Sequence, residues 1–368
     1  MNSFPDAAPV PHTAPVRFAI VGCGTIAPTH AEAIRALEAQ SGGADCCLVA
    51  VCDPVRDRAE SLAQAFAVPK VYTNENDVYA DPNVDAVCLC TPSGLHMSAA
   101  IAAMNAGKHV LSEKPMDVSV RACDNAIATA QGTGRVLSII SQHRFDPATV
   151  AVKATIDSGA LGKIVMANAA VPWFRTQAYY DSGDWRGTWA MDGGGATMNQ
   201  GVHTVDVLLH LAGDVSTVSA FYTVGAAHER IEVEDVCAAS LRFQSGAIGT
   251  FTATTAAYDG YPARIEIFGT SGTAIIEGDA LKVLHTQTTG KANAESPAAH
   301  AALVAQGGTA AARENPVWGD SHRAQFADFL QAIRTGTPPA IDGTQGRRPL
   351  RLIDAMYRSA RTGFAVNL

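Results

Sequence analysis

No apolar run in this 368-residue sequence reaches the roughly 18–20 residues that a membrane-spanning helix needs, because Gly, Pro or a charged residue interrupts each one. A helical membrane protein is therefore excluded. Charged residues are scarce as well, at 17% against about 25% in an average soluble protein, and no long block of either sign occurs. Lys plus Arg number 27 against 35 Asp plus Glu, a formal charge of −8. The basic surface that neutralises phosphates is missing, so nucleic acid is excluded as a partner. No Cys-x-x-Cys pair and no metal-type Cys/His spacing occurs, so no structural metal is expected. The opening stretch MNSFPDAAPVPHTAP has no basic segment leading into an apolar one and no twin arginine. Residues 1–15 read as a flexible arm, and a cytoplasmic location is expected.

What is present is 47% hydrophobic residues in a chain long enough for two domains with their own cores. Seven of the 8 cysteines precede residue 130, and Cys46, Cys47, Cys52, Cys88 and Cys90 sit in or beside apolar runs such as CCLVAVC and AVCLC. Such placement suits buried free thiols in a reducing compartment.

From Val16 to about Ser141, short apolar runs (FAIV, LVAVC, DAVCLC, HVLS) alternate with helix-like segments, and Gly107 and Gly132 stand where helices should end. Runs apolar throughout suggest strands covered on both faces, and strand–helix alternation implies a parallel doubly wound sheet. Residues 16–145 are thus expected to form an α/β Rossmann-type domain. Beyond it the spacing predicts a helix at 147–158 ended by Gly159, and another across 196–211. Successive β-rich runs follow between 215 and 286. This is the pattern of an α+β domain, 146–368, with an open, mainly antiparallel sheet. Residues 287–313 lack periodicity and read as a mobile loop. Two closing helices follow, which can pack back on the first domain.

Gly22-Cys23-Gly24-Thr25-Ile26-Ala27 directly follows the FAIV strand and precedes a helix. Gly22 permits a tight turn, Gly24 lets backbone approach a pyrophosphate, and Ala27 is the small residue that lets helix pack on strand. With Thr25 and Ile26 these form a dinucleotide-binding turn. Asp53 ends the second strand, where a carboxylate accepts ribose hydroxyls and favours NAD over NADP, a preference that Arg56 and Arg58 soften. Two further stretches occupy carboxyl strand ends, where ligands bind in such sheets. These are TPSGLH, with Thr91, Pro92, Ser93 and His96, and SEKP, with Glu113 and Lys114.

In order, GCGTIA, CDP, TPSGLH, SEKP and GGGATMNQGVHTVD resemble the Gfo/Idh/MocA family of NAD(P)-dependent oxidoreductases. The resemblance runs from Val16 to the ending AMYRSARTG. It implies a nicotinamide-binding Rossmann domain and a second domain whose open sheet mediates a homodimer or homotetramer. The implied substrate is a small sugar, polyol or sugar derivative. It also implies that Lys114 contacts cofactor and reacting hydroxyl, and that His203 transfers the proton. Asn199 takes the place where inositol-type members carry an aspartate, and members acting on nucleotide-linked uronic sugars are similar in having a neutral residue there. Four residues before His203, Asn199 would share its helical face. Asp206 is placed either to orient His203 or to bridge elsewhere.

The segment 171–195 gathers three of the four tryptophans with Arg175, Tyr179, Tyr180, Trp185 and Arg186. Aromatic faces suit the C–H side of a sugar ring and Arg suits hydroxyls or carboxylates, so these five are expected to line the substrate site; an oligomer contact is the alternative. The expected activity is oxidation of a secondary hydroxyl with NAD, NADP being possible. The alternatives are an NADPH-dependent keto-sugar reductase, a nucleotide-sugar uronate 3-dehydrogenase and, in another class, a cofactor-sensing regulator without catalysis. A regulator would be expected to lose the lysine and the histidine, both retained here.

Overall fold

Strands buried on both faces need helices on either side, and residues 16–139 supply both. In a computed structural model that describes residues 14–287 and 319–368, the chain up to Ile140 is a regular alternation. It runs β1 (Val16–Val21), α1 (Ala27–Ser41), β2 (Cys46–Cys52), α2 (Arg56–Ala65), β3 (Lys70–Tyr72) and α3 (Glu75–Ala80). Then come β4 (Ala86–Leu89), α4 (His96–Asn105), β5 (His109–Ser112), α5 (Val120–Thr133) and β6 (Leu137–Ile139). The six strands lie in the order β3-β2-β1-β4-β5-β6, every pair parallel. That is the doubly wound order expected of the α/β half. Gly132 lies inside α5, not beyond it; the left-handed residue that stops the helix is Gly134, with φ +64°. Most of the proposed N-terminal arm, and the proposed loop from residue 288 onward, fall outside the described residues.

The described chain divides into two compact units. The first is completed late in the sequence by α9 (Gly319–Thr335), which packs along α1. Phe18 of β1 meets Phe326 and Phe329 of α9 at ring-centroid distances of 5.9 and 6.1 Å, all three fully buried. Phe326→Ala should therefore cost about 3–5 kcal/mol of stability. Urea unfolding followed by circular dichroism measures it.

The second unit contains α6 (Pro147–Asp157), β7 (Ile164–Pro172), α7 (Gln177–Asp181) and α8 (Val202–Ala212). Six strands follow: β8 (Val215–Val224), β9 (Glu234–Phe243), β10 (Ile248–Thr254), β11 (Arg264–Gly269), β12 (Gly272–Glu277) and β13 (Ala280–Thr286). Most of α10 (Gly343–Thr362) and the short β14 (Val366–Asn367) finish it. The sheet order is β13-β12-β11-β7-β10-β9-β8-β14, antiparallel except for the parallel pair β7–β10. Along β9, Cys237, Ala239, Leu241 and Phe243 are buried while Ala238, Ser240 and Arg242 are exposed. One face therefore carries the core beneath α8, and the other leaves Phe221 and Ile248 exposed at 75% and 54%.

Candidate active site

The glycine turn closes at Gly22, where there is no room for anything larger. Gly22 has φ +94°, and a Cβ there would stand 2.6 Å from the Cys90 carbonyl at the end of β4. Gly24 is the opposite case, since a Cβ there would meet nothing within 4 Å. That open space fronts the start of α1, whose first turn has no acidic residue and whose N-cap residue, Ile26, makes no side-chain capping bond. An uncapped helix N-terminus behind open backbone fits a pyrophosphate. Asp53 is buried at the end of β2, its Oδ2 accepting the Cys23 N–H at 2.9 Å and its Oδ1 the Val55 N–H at 2.8 Å. Part of its work is thus to hold the turn.

At the neighbouring strand ends the structure separates two kinds of residue. The His96 ring is spoken for at both nitrogens, Nδ1 by the Pro115 carbonyl and Nε2 by the Thr91 carbonyl, each at 2.8 Å. It ties the loop after β4 to the loop after β5. Ser93 is buried in a 3-10 turn beginning just after Pro92, while the Thr91 hydroxyl is a buried polar atom without a partner among the described residues.

Glu113 is also an anchor. Its Oε1 bonds His30 Nε2 at 2.8 Å, and its Oε2 accepts the backbone N–H of Lys114 at 3.0 Å. His30 and His322, both buried, complete a cluster around it. Burial raises the Glu113 carboxyl, but the hydrogen bond and charge of His30, then the charges of Lys114 and His322, outweigh it and hold the pKa at about 2. A lowered carboxyl stabilises the fold above its unfolded value of about 4.3, and that contribution is lost as pH falls toward 2. Glu113→Gln should therefore flatten the decline in thermal stability between about pH 4.5 and 2. Melting curves across that range test it.

In the second unit, the expected helix across 196–211 is broken in kind. Residues Ala196–Gln200 form a π-helical turn, and α-helix begins only at Val202. The wider turn carries an extra residue, so the four-residue spacing of Asn199 and His203 no longer sets them on one α-helical face. Its start is fixed by Glu234, fully buried, which accepts the N–H groups of Gly195 (3.0 Å) and Thr197 (2.8 Å) and the Tyr357 hydroxyl (2.8 Å). Gly195 is required here, because a Cβ would run into the Glu234 carbonyl oxygen.

Asn199 donates from Nδ2 to Asp192 and accepts at Oδ1 from Gln200 Nε2 at 2.7 Å. The chain therefore does bring a carboxylate to Asn199, from Asp192, which is 1% exposed. No spacing rule links residues 192 and 199; the loop's return onto the π-turn does. His203 is half-buried, with the His143 ring edge-on at a 5.0 Å centroid distance. His143 Nδ1 in turn meets Asp146 at 2.6 Å. Asp206 is gripped through both oxygens by Arg144, at 2.7 and 2.6 Å, so it serves as an ion-pair partner holding α8.

The aromatic segment divides as well. Tyr180 is a supporting core residue, 6% exposed, its hydroxyl 2.9 Å from Thr255 and its ring against His228. Tyr179, Trp185, Arg175 and Arg186 are half-buried and meet: Arg186 lies over Tyr179 and Trp185 at 4.4 and 4.5 Å, and Arg175 lies 5.4 Å from the Tyr179 ring centroid.

Comparison with known proteins agrees with this geometry. Residues 16–141 match the model of an oxidoreductase family with an NAD-binding Rossmann fold, and residues 149–275 match the GFO/IDH/MocA C-terminal domain. The chain belongs to the GFO/IDH/MocA family of oxidoreductases, and its first unit is an NAD-binding Rossmann domain. It is similar to the myo-inositol 2-dehydrogenase of Thermotoga maritima, 26% identical over 96% of this chain and 98% of that one. The inositol 2-dehydrogenase of Rhizobium meliloti is 29% identical, with 94% and 96% covered. Among solved structures, the WlbA dehydrogenase of Bordetella pertussis in complex with NADH and UDP-GlcNAcA shares 33% identity at TM-score 0.84, over 96% of this chain and 98% of that one. WlbA of Chromobacterium violaceum, with the same ligands, shares 32% at 0.85, over 98% and 99%.

Proposed function

We propose that the chain oxidises a secondary hydroxyl of a sugar, polyol or sugar derivative. The observation that carries this reading is Lys114, fixed by its backbone bond to Glu113 just past the end of β5 in the NAD-binding unit. Carboxyl strand ends are where such sheets bind ligands. NAD, when bound, supplies the hydride acceptor. The Lys114 ammonium lowers the pKa of the hydroxyl and stabilises its developing negative charge, and His203 takes the proton as the carbinol hydrogen leaves with its electron pair. The product is a ketone. Asn199 and the aromatic loop orient the substrate. The dehydrogenases named above as similar, which act on inositols or bind UDP-GlcNAcA, support a hydroxyl-bearing ring as substrate. The exposed face of the second sheet is proposed as the contact of a homo-oligomer, and the cytoplasm as the working compartment. A panel of polyols, aldoses, uronic acids and nucleotide sugars, followed by absorbance of the reduced nicotinamide, tests the reading; no turnover of any hydroxyl compound would sink it.

Buried at the end of β2, Asp53 should repel a 2′-phosphate. NAD is expected to be preferred over NADP by about tenfold or more in kcat/KM, about 1.4 kcal/mol of discrimination. Steady-state kinetics with both cofactors decides it.

A further inference from the structure

Around Tyr179 the structure assembles hydrogen-bond donors without acceptors to match them. The Tyr179 hydroxyl oxygen accepts from Arg186 Nη1 at 2.7 Å and from Gln200 Nε2 at 2.8 Å, so its own hydrogen has no acceptor among the described residues. Gln200 turns its amide N–H₂ toward that hydroxyl, while its Oε1 takes Arg175 Nη2 at 2.7 Å. Arg186 otherwise donates from Nε to the Ser182 hydroxyl, and Arg175 from Nη1 to the Phe174 carbonyl. Each guanidinium carries five N–H groups, so both retain unused donor edges. Neither forms an ion pair with a carboxylate among the described residues.

The local acids do not change this. Both Asp192 oxygens are engaged, one by Asn199 and the other by the Gly187 N–H. Asp181 pairs with Arg230 at 3.1 Å, and Asp184 is exposed. What holds the two cations half-buried is ring contact: Arg186 on Tyr179 and Trp185, Arg175 on Trp173 and Tyr179. A neutral polyol brings a donor with every hydroxyl and no charge. An anion brings acceptors alone and supplies the direct ion pair that neither guanidinium makes among the described residues.

We propose that the substrate is anionic, its carboxylate or phosphate seated on Arg175, Arg186 and the Tyr179 hydroxyl. This rests on the aromatic loop being the substrate site of the proposed dehydrogenase, and it narrows that reading from sugars and polyols at large to sugar acids and phosphorylated or nucleotide-linked sugars.

Calorimetric titration of the NADH-loaded protein with glucose, myo-inositol, glucuronate, UDP-glucose and UDP-glucuronate tests it separately from turnover. At least one anionic probe should bind about tenfold or more tighter than glucose and myo-inositol, with the advantage shrinking as salt rises from about 0.05 to 0.5 M. UDP-glucose binding as well as UDP-glucuronate assigns the site to phosphate; a requirement for the uronate assigns it to carboxylate. Arg175→Met and Arg186→Met should each lose about tenfold or more of that affinity with NADH binding unchanged, and Arg186→Lys should recover part of it. Equal binding of neutral and anionic probes, or a preference that survives both methionine variants, overturns the proposal. Tight anionic binding without hydride transfer would instead refute the dehydrogenase reading and leave the anion site standing.

Discussion

Lys114→Met and His203→Ala are each expected to lower kcat by about 10²–10⁴-fold while altering KM far less, because in the proposed mechanism both groups act on charge that exists only in the transition state. NAD should still bind to both variants, since the glycine turn and its Asp53 anchor are untouched. If the two groups serve one hydroxyl, the double variant should lose much less than the product of the single losses. Stopped-flow and steady-state measurements with the best substrate of the panel give all three numbers. Lys114→Met activity within threefold of the parent at saturating substrate would remove the lysine from the chemistry, and strictly multiplicative losses would show that the two groups work on separate steps.

Glu234→Gln is expected to damage both stability and turnover, by a different route. The carboxylate takes three donors in a fully buried place, and the change sets an amide N–H₂ against at least one of them. A buried donor facing a donor costs about 1–3 kcal/mol, with the charge-assisted bonds lost in addition. The π-turn that begins at Ala196 would lose its start, and Asn199 with it. Thermal stability should fall and kcat should drop about tenfold or more, whereas NAD affinity, set in the other unit, should remain. Burial raises the Glu234 carboxyl, and the three donors only partly offset this. Its contribution to stability is therefore present below the unfolded value of about 4.3 and is lost as pH rises through the folded one. The parent should lose stability over that rise and the glutamine variant should not; melting curves against pH separate them.

Much of the candidate site was legible because it depends on local order along the chain. Gly22, Gly24 and Ala27 could be recognised from a strand, a turn and a helix in succession, and Thr91 and Lys114 from the strands they follow. Asn199 was legible by position but not by environment. The sequence shows an amide in the family's aspartate position, and only the structure shows that Asp192 stands beside it. That changes what Asn199→Asp would do, since the new carboxylate would face an existing one and both could not easily ionise. Tyr180 and Tyr179 are neighbours of identical type, and only packing made one a core residue and the other the centre of a donor cluster.

The sequence alone determined the class of each half. Continuous apolar runs require a parallel sheet covered on both faces, and alternating runs on short turns require an antiparallel sheet with one face covered; both requirements follow from side-chain period and burial. Tertiary structure alone decided where distant residues meet. Phe326 reaches Phe18, His322 and His30 flank Glu113, Glu234 holds the π-turn, and Arg144 holds Asp206. No local propensity encodes such pairs, because each forms only after two separately specified elements have packed and a buried polar group has to find its partner in whatever then stands beside it.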